Sequence, residues 1–373
     1  MPFPFRSSQR ASLGVEMEFQ LVDATSLDLT PVSPAVLARY GASNGRVKPE
    51  IFQSMIEVCS DVCASVDDAE RDLRPNLVRL HGVCAELGVV LATAGSHPFA
   101  RYVDRLVYPD ARYRQLLDRN RWIAQRLSIF GVHVHVGRRD GDHAVSTIHG
   151  LGDALPWLLA LSASSPFWQG NDTGLASSRS TIFEAMPTAG RPLRYDDWAS
   201  FERLFDALVR SGSIASIKDL WWDVRPHPDF GTIEIRLLDS PATLTETLEL
   251  VAVVQCLVAR IDRRIASGDP LPQPVEWVKR ENKWRAMRHG LACSFVVDEA
   301  GGTIDARTLI RRELDDLAEF AEELGCAPRL ASLRGRLDGE PAYERQRRIA
   351  SASGLPAVVR DLADRLAADL GVS

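Results

Sequence analysis

Residues 221–239, WWDVRPHPDFGTIEIRLLD, constrain the fold more than any other stretch of the chain. Residues 232–238 alternate polar and branched apolar side chains, the period of a half-buried β-strand. Glu234 and Arg236 lie two apart and so point to one strand face. Asp223 and Arg225 repeat that spacing just before a turn-forming segment, Pro226 to Gly231. A polar face of this kind is costly to bury unless it is paired or binds something. Two readings stay open here: a pair of structural salt bridges, or a site.

Four further segments show comparable patterns. Residues 13–22 form a strand candidate with Glu16, Glu18 and Gln20 on one face and Val15, Met17, Phe19 and Leu21 on the other. Residues 50–62 form a second, with Gln53 and Glu57 sharing a face. Residues 89–94 read as a short apolar strand running into a Gly-Ser-His-Pro turn at His97. Residues 129–137, IFGVHVHVG, place His133 and His135 together, opposite valines.

Between these lie helical patterns at 67–87, 111–128, 145–163 and 196–210, with Pro75 and Pro156 awkward inside two of them. Thr243 to Glu246 reads as a capping box opening a helix to about residue 265. A further helix is expected over 274–289, and the pattern is helical from 305 to the end. The strands are not arranged as βαβ units. They fit an antiparallel sheet with one face on a helical core and one face lining a cleft.

The chain has 373 residues, 45% hydrophobic and 25% charged, as in ordinary globular proteins. A net charge of −6 argues against a nucleic-acid partner. No apolar run is long enough to span a membrane. The N-terminus lacks the apolar core of a signal peptide. The six cysteines form no CxxC pair and read as buried thiols of a reducing compartment. A cytoplasmic protein is expected.

If the polar strand faces belong to one sheet, they converge. Glu16/Glu18, Gln53/Glu57, His133/His135, Asp223/Arg225 and Glu234/Arg236 then make a floor of carboxylates, imidazoles and arginines. Packed carboxylates repel unless a cation sits among them. Hard oxygens suit Mg²⁺ or Mn²⁺, with an imidazole better tolerated by Mn²⁺. Arginines at the rim fit phosphates bidentately. Each member also has an ordinary structural reading: an exposed edge for Glu16 and Glu18, a surface position for Glu57 or Arg179, a core imidazole for His133 or His135, a turn cap for His97, core packing for Trp221 and Trp222. The sequence contains no GxSxG, no Walker loop and no GxGxxG.

Seven segments occurring in order carry a resemblance: GVEMEFQLVD, FQSMIEVCSDVC, GSHPFA, FGVHVHVG, SSRSTIFEAMPTAGRP, WWDVRPHPDFGTIEIRLLD and ENKWRAMRHGL. Together, over residues 13–291, the chain resembles the glutamate–cysteine ligase type 2 family, also called YbdK-like carboxylate–amine ligases. The resemblance implies an α+β fold with a glutamine-synthetase-like catalytic domain, a curved antiparallel sheet with helices on its outer face. It implies one large domain over 1–373, with a helical part at 305–373. It implies ATP-dependent ligation: ATP phosphorylates a carboxylate, and an amine displaces phosphate from the acyl phosphate. Glutamate and L-cysteine are the expected substrates, another acid–amine pair the alternative, and a homodimer the expected assembly.

Matched position by position, the resemblance puts Glu16, Glu18, Glu57, His135 and Glu234 at the metals. It puts Arg236 and Arg179, with Glu57, in the catalytic set. Arg225, Arg236, Asn282 and Lys283 become candidates for holding the nucleotide, with His133 and His97 as further site candidates; Asp223 and Arg225 are also open to a role bracing the strand that carries Glu234. Two departures stand out. Met17 stands where many relatives carry a third glutamate, and Lys283 where arginine is common. The long segment 164–192 is a candidate lid. The competing class is a metal-dependent hydrolase using the histidines and carboxylates to activate water, for which Arg236 beside Glu234 has no obvious use. A third reading is a relative that binds without turnover.

Overall fold

The computed structural model describes residues 4–8, 11–271 and 275–372. Its centre is a seven-stranded antiparallel sheet. The strands are β1 (Leu13–Asp23), β2 (Val47–Pro49), β3 (Met55–Cys59), β4 (Val89–Ala92) and β5 (Gly131–Gly137), then β8 (Val224–His227) and β9 (Thr232–Asp239). Between β5 and β8 a two-stranded hairpin, β6 (Phe167–Trp168) with β7 (Asn171–Asp172), stands apart. The sheet order is β2-β3-β1-β5-β9-β8, and β4 pairs with the far end of β1. Every pairing in it is antiparallel.

The helices are α1 (Ser33–Tyr40), α2 (Val66–Glu86), α3 (Ala111–Asn120), α4 (Trp122–Gln125), α5 (Gly141–Gly150), α6 (Ala154–Ser162), α7 (Ser178–Phe183) and α8 (Trp198–Arg210). After β9 come α9 (Leu244–Ser267) and α10 (Glu276–His289). A short hairpin of β10 (Ser294–Val296) and β11 (Thr303–Asp305) follows, then α11 (Ala306–Asp316), α12 (Ala318–Glu323), α13 (Ala327–Arg336), α14 (Ala342–Ser353) and α15 (Leu355–Leu370). One sheet face is apolar. Val15, Met17, Phe19, Ile56, Val58, Val132, Val134, Ile233 and Ile235 are buried there with Leu73, Leu77 and Leu80 of α2 and Leu248, Val251 and Val258 of α9. The α+β class and the glutamine-synthetase-like architecture expected from the sequence are both present. No single helix among the described residues is long and apolar enough to cross a membrane.

Several elements differ from the sequence expectation. The strand expected over 50–62 is only Met55–Cys59, because a turn closes between Phe52 and Met55. Gln53 consequently leaves the Glu57 face and donates to the Val107 carbonyl. The helix expected over 111–128 breaks at Arg121, whose φ of 50° ends the ladder of α3. The helix expected over 145–163 is two helices bent by 70°. Pro156 is the third residue of α6, in the first turn, where a missing N–H costs nothing. Pro75 lies inside α2 but on its exposed side, so water can satisfy the carbonyl it leaves free. At α9 half of the capping box forms. Thr243 accepts from the Glu246 N–H, while the Glu246 carboxylate pairs with Arg336 and Arg365 instead. Pro274, the first residue of the helix expected over 274–289, lies outside the described residues; the helix is seen from Glu276. All six cysteines are free and buried.

Candidate active site

The opposite face of the sheet is polar, and its register assembles the site. Across the strands, Lys48, Glu57 and Glu18 form one row. Cys59, Glu16 and His133 form the next. Gly14, His135, Glu234 and Arg225 form a third. A shift in the β5–β9 register falls between Val132 and Val134, at His133. These rows floor a cavity of about 330 Å³, which also takes in Glu50, Arg112, Tyr113, Arg179, Lys218, Trp221, His227, Phe230 and Arg236.

The carboxylates differ in their surroundings. Burial pushes Glu18 up to about 7, with Arg179 opposing and the Glu57 charge adding. Burial, then the charges of Glu16 and Glu50, lifts Glu57 to about 8. Burial and the Glu18 charge lift Glu50 to about 7. Burial works on Glu16 and Glu234 too but is overcome. His133 and His135 hold Glu16 well below the usual carboxylate range, and Arg225 and Arg236 do the same for Glu234.

His133 is the hub. Its Nδ1 is 3.1 Å from Glu16 and 3.9 Å from Glu234, and its Nε2 is 3.8 Å from Glu18. His135 Nδ1 lies 3.0 Å from the Thr232 hydroxyl. Its buried Nε2 has no hydrogen-bond partner and sits 3.6 Å from Glu16. Three sets of side chains bring their donor atoms within 4.8 Å of one another: Glu16, His133 and Glu234; Glu18, Glu57 and His133; Glu16, Glu57 and Cys59. Buried carboxylates with raised proton affinity, an orphaned imidazole nitrogen and overlapping oxygen-rich sets fit a divalent cation, and more than one.

The arginines divide into two kinds. Arg179 enters from α7, outside the sheet. Its Nη1 and Nη2 donate to the carbonyls of Leu237 and Arg236, each at 3.1 Å, and its buried Nε has no partner. Arg236 pairs with Glu234 through Nη1, and its Nε is also without a partner. Arg225 is otherwise. Its Nε donates to Glu234 at 2.7 Å, and its Nη1 to the carbonyls of Ile217, Lys218 and Leu220. It lines the cavity, but its donors brace Glu234 and the loop before β8.

Gly131 explains how Arg179 reaches its place. A Cβ on Gly131 would lie well inside van der Waals contact of the guanidinium. Gly131→Ala should therefore displace Arg179 and lower kcat by about 10-fold or more, with little loss of fold. Steady-state kinetics beside a melting curve checks this; unchanged kcat would mean that Arg179 is not needed where it lies.

Two residues expected to hold nucleotide are not brought to this cavity. Asn282 bonds both the N–H and the carbonyl of Val296, each at 2.8 Å, and borders a separate hollow against α6 and α9. Lys283 is buried between Glu184 and Asp223, 2.6 Å from the latter. It fixes Asp223, whose carbonyl accepts from the Arg236 N–H. His97 is a turn cap: Nδ1 accepts from the Ala100 N–H, and Nε2 lies 3.0 Å from the Leu27 carbonyl. Of the segment expected as a lid, residues 164–167 and 176–180 are packed into the fold, while 170–172 are exposed. Ser164, Ser165 and Ser177 all donate to the buried Asp239 carboxylate, and Gln346 holds the Ser164 carbonyl. Glu50 and Cys59 were not anticipated. Glu50 directly follows β2, and in the strand expected over 50–62 alternation sets it on the face opposite Glu57. Cys59 lies two residues beyond Glu57 on the same face, a spacing that could have found it.

Sheet, outer helices and acid-floored cavity together define a carboxylate–amine ligase of the glutamine-synthetase-like fold. The chain belongs to glutamate–cysteine ligase family 2, whose model matches residues 12–355, and is thus an ATP-dependent ligase. It is 43% identical over 372 residues to "Putative glutamate--cysteine ligase 2" of Bdellovibrio bacteriovorus, covering 100% of this chain and 98% of that one. It is 43% identical over 371 residues to the protein of the same name from Gloeobacter violaceus, covering 98% and 100%. Among solved structures, the glutamate–cysteine ligase of Francisella tularensis in complex with AMP superposes with a TM-score of 0.72 at 11% identity, covering 98% of this chain and 90% of that one. The bifunctional glutathione synthetase of Pasteurella multocida gives 0.70 at 16%, covering 97% and 53%. At these identities the likeness is one of fold.

Proposed function

We propose that the protein joins the side-chain carboxylate of glutamate to the amine of L-cysteine, giving γ-glutamylcysteine, ADP and phosphate. The observation that carries this reading is the union, in one cavity, of the carboxylate–imidazole floor with Arg179 and Arg236. Transfer of a phosphoryl group to a carboxylate brings two anions together, so the site must neutralise charge. Glu16, Glu18, Glu57, His133, His135 and Glu234 would hold Mg²⁺ or Mn²⁺, with Glu50 as a further oxygen donor. Such cations, when bound, neutralise phosphate oxygens and fix their positions.

The remaining work falls to the chain. Arg179 and Arg236 both line the cavity, and each keeps a buried Nε without a hydrogen-bond partner with which to meet an anion. Arg225 and Lys283 hold the strands that carry Glu234 and Arg236. The apolar wall of Met55, Leu116, Leu127, Ile129 and Phe183 keeps water from the acyl phosphate. The incoming amine attacks the acyl carbon and phosphate leaves, so no side-chain nucleophile is required. A ligase of the same mechanism for another acid–amine pair is the alternative.

The test is ADP release from purified protein with Mg²⁺ or Mn²⁺, ATP and a matrix of amino acids and amines. Glutamate with cysteine should give the fastest release, dependent on both. A faster pair would replace the substrate assignment. Hydrolysis of amides without ATP would overturn the reading in favour of a hydrolase.

A further inference from the structure

The carboxylate of Asp239 has no part in the chemistry given so far, yet the fold makes room for it. It closes β9, fully buried, and does not line the cavity. A Cβ on Gly95 would come within 2.6 Å of it, so the glycine there is what leaves it space. Three donors meet it. Ser177 gives its hydroxyl to Oδ1 at 2.8 Å, and Ser165 gives its hydroxyl to Oδ2 at 2.7 Å. The Ser164 N–H donates to Oδ2 at 3.0 Å. Burial raises the proton affinity of Asp239, and the charge of Arg179 is the largest influence against it. A carboxyl that takes three donors is suited to the ionised form.

That charge lies against one guanidinium. Arg179 Nη1 is 3.8 Å from Asp239 Oδ1, and among the described residues no other carboxylate comes within 4 Å of Arg179. The Ser165 hydroxyl that donates to Asp239 also accepts from the Arg179 N–H at 3.1 Å. Ser177 is the N-cap of α7, the helix that carries Arg179. Asp239 therefore reaches the helix, the backbone and the guanidinium of Arg179 by separate contacts. Among the groups of the floor, Glu18 attracts Arg179 and Arg236 repels it. A divalent cation on Glu18 would cancel that attraction. With the floor filled, the cavity repels Arg179, and the carboxylate outside the cavity is the charge left to hold it.

We propose that Asp239 is a positioning residue for phosphoryl transfer, the counter-charge that keeps Arg179 at the cavity once cations neutralise Glu18. It acts through Arg179 and touches neither substrate nor cation. The proposal rests on the role given above to Arg179, and not on which acid and amine are joined.

A double-mutant cycle tests it, read in ADP formation with Mg²⁺ and whichever acid–amine pair turns over fastest. Asp239→Asn keeps the size of the side chain and removes its charge. It should lower kcat about 10- to 100-fold, with KM for ATP changed by less than about 3-fold. Arg179→Ala should lower kcat by at least about 10²-fold. Added to Arg179→Ala, Asp239→Asn should cost less than about 3-fold more, because the group it positions is already gone. Ser165→Ala is the second variant, should Asp239→Asn fail to fold. It keeps the charge but cuts its tie to the Arg179 N–H, and should lower kcat about 3-fold alone and not at all beside Arg179→Ala. A loosened fold would slow both backgrounds alike, so effects that multiply overturn the proposal. An unchanged kcat in Asp239→Asn overturns it too. An Arg179→Ala variant with wild-type kcat overturns the role of Arg179 itself, and this proposal with it.

Discussion

Glu18→Gln should lower ADP formation by at least about 10²-fold while leaving the cation-free protein as stable as wild type or more so. The two effects part because Glu18 is a carboxylate the fold does not want charged. Burial holds it near 7, and its one recorded hydrogen bond comes from the Gly131 N–H at 2.5 Å. Glutamine keeps that acceptor and removes a charge from beside Glu57 and Glu50. The same reasoning fixes a pH dependence. Without a cation, Glu18, Glu50 and Glu57 bind protons more tightly folded than unfolded. Their contribution to stability is whole below an ordinary 4.5 and is lost as pH rises through about 7 to 8. Glu16 and Glu234 act in the opposite sense, but only at acidic pH.

Melting curves in chelator should therefore fall from about pH 4.5 to about pH 8, and Mg²⁺ or Mn²⁺ should restore most at the alkaline end. In Glu18→Gln the restoration should shrink. A cation shift of equal size in the variant would show that the ion binds elsewhere.

Arg225→Ala should cost about 3–5 kcal/mol of folding stability, the largest loss expected from any single change at the site. It would strip Glu234 of one of its two arginines and leave the carbonyls of Lys218 and Leu220 without their donor, the Ile217 carbonyl keeping the Leu220 N–H. Activity should fall as well, through displacement of Glu234. The family resemblance offers Arg225 a second role, a hand on the nucleotide. That role predicts a higher KM for ATP with the melting temperature unchanged. Denaturant unfolding beside ATP kinetics separates the two, and an unshifted midpoint would sink the bracing role.

Strand alternation made the polar face legible. Glu16, Glu18, Glu57, His133, His135, Glu234 and Arg236 each sit at alternate positions of a strand, and a period of two is visible without knowing what pairs with what. The antiparallel sheet and the helical backing followed from the same patterns. Pairwise chemistry was not legible. Nothing in the order of residues says that Arg225 reaches back to loop carbonyls, or that Lys283 finds Asp223 from a helix 60 residues on, and Glu184 from further still. Asn282 shows the limit of matching by motif: it stands in ENKWR, yet it spends its amide on Val296. The segment 164–192 looked mobile because it is rich in small polar residues. In the fold the Ser165 and Ser177 hydroxyls go to one buried carboxylate, Asp239, and those of Thr173, Thr181 and Thr188 to backbone carbonyls.

The division of the cavity between sheet and connections has a consequence for descent. Nearly every group suited to hold a cation comes from β1, β3, β5 or β9, where moving one residue would turn its side chain into the core. The wall that would touch the substrates comes largely from elsewhere: Leu116 on α3, Phe183 on α7, Leu127, Ile129 and Trp221 in linking segments. Selection can reshape that wall residue by residue without disturbing the carboxylate–imidazole floor beneath it. Sister chains would then diverge in which acid and amine they join long before they diverge in how they join them.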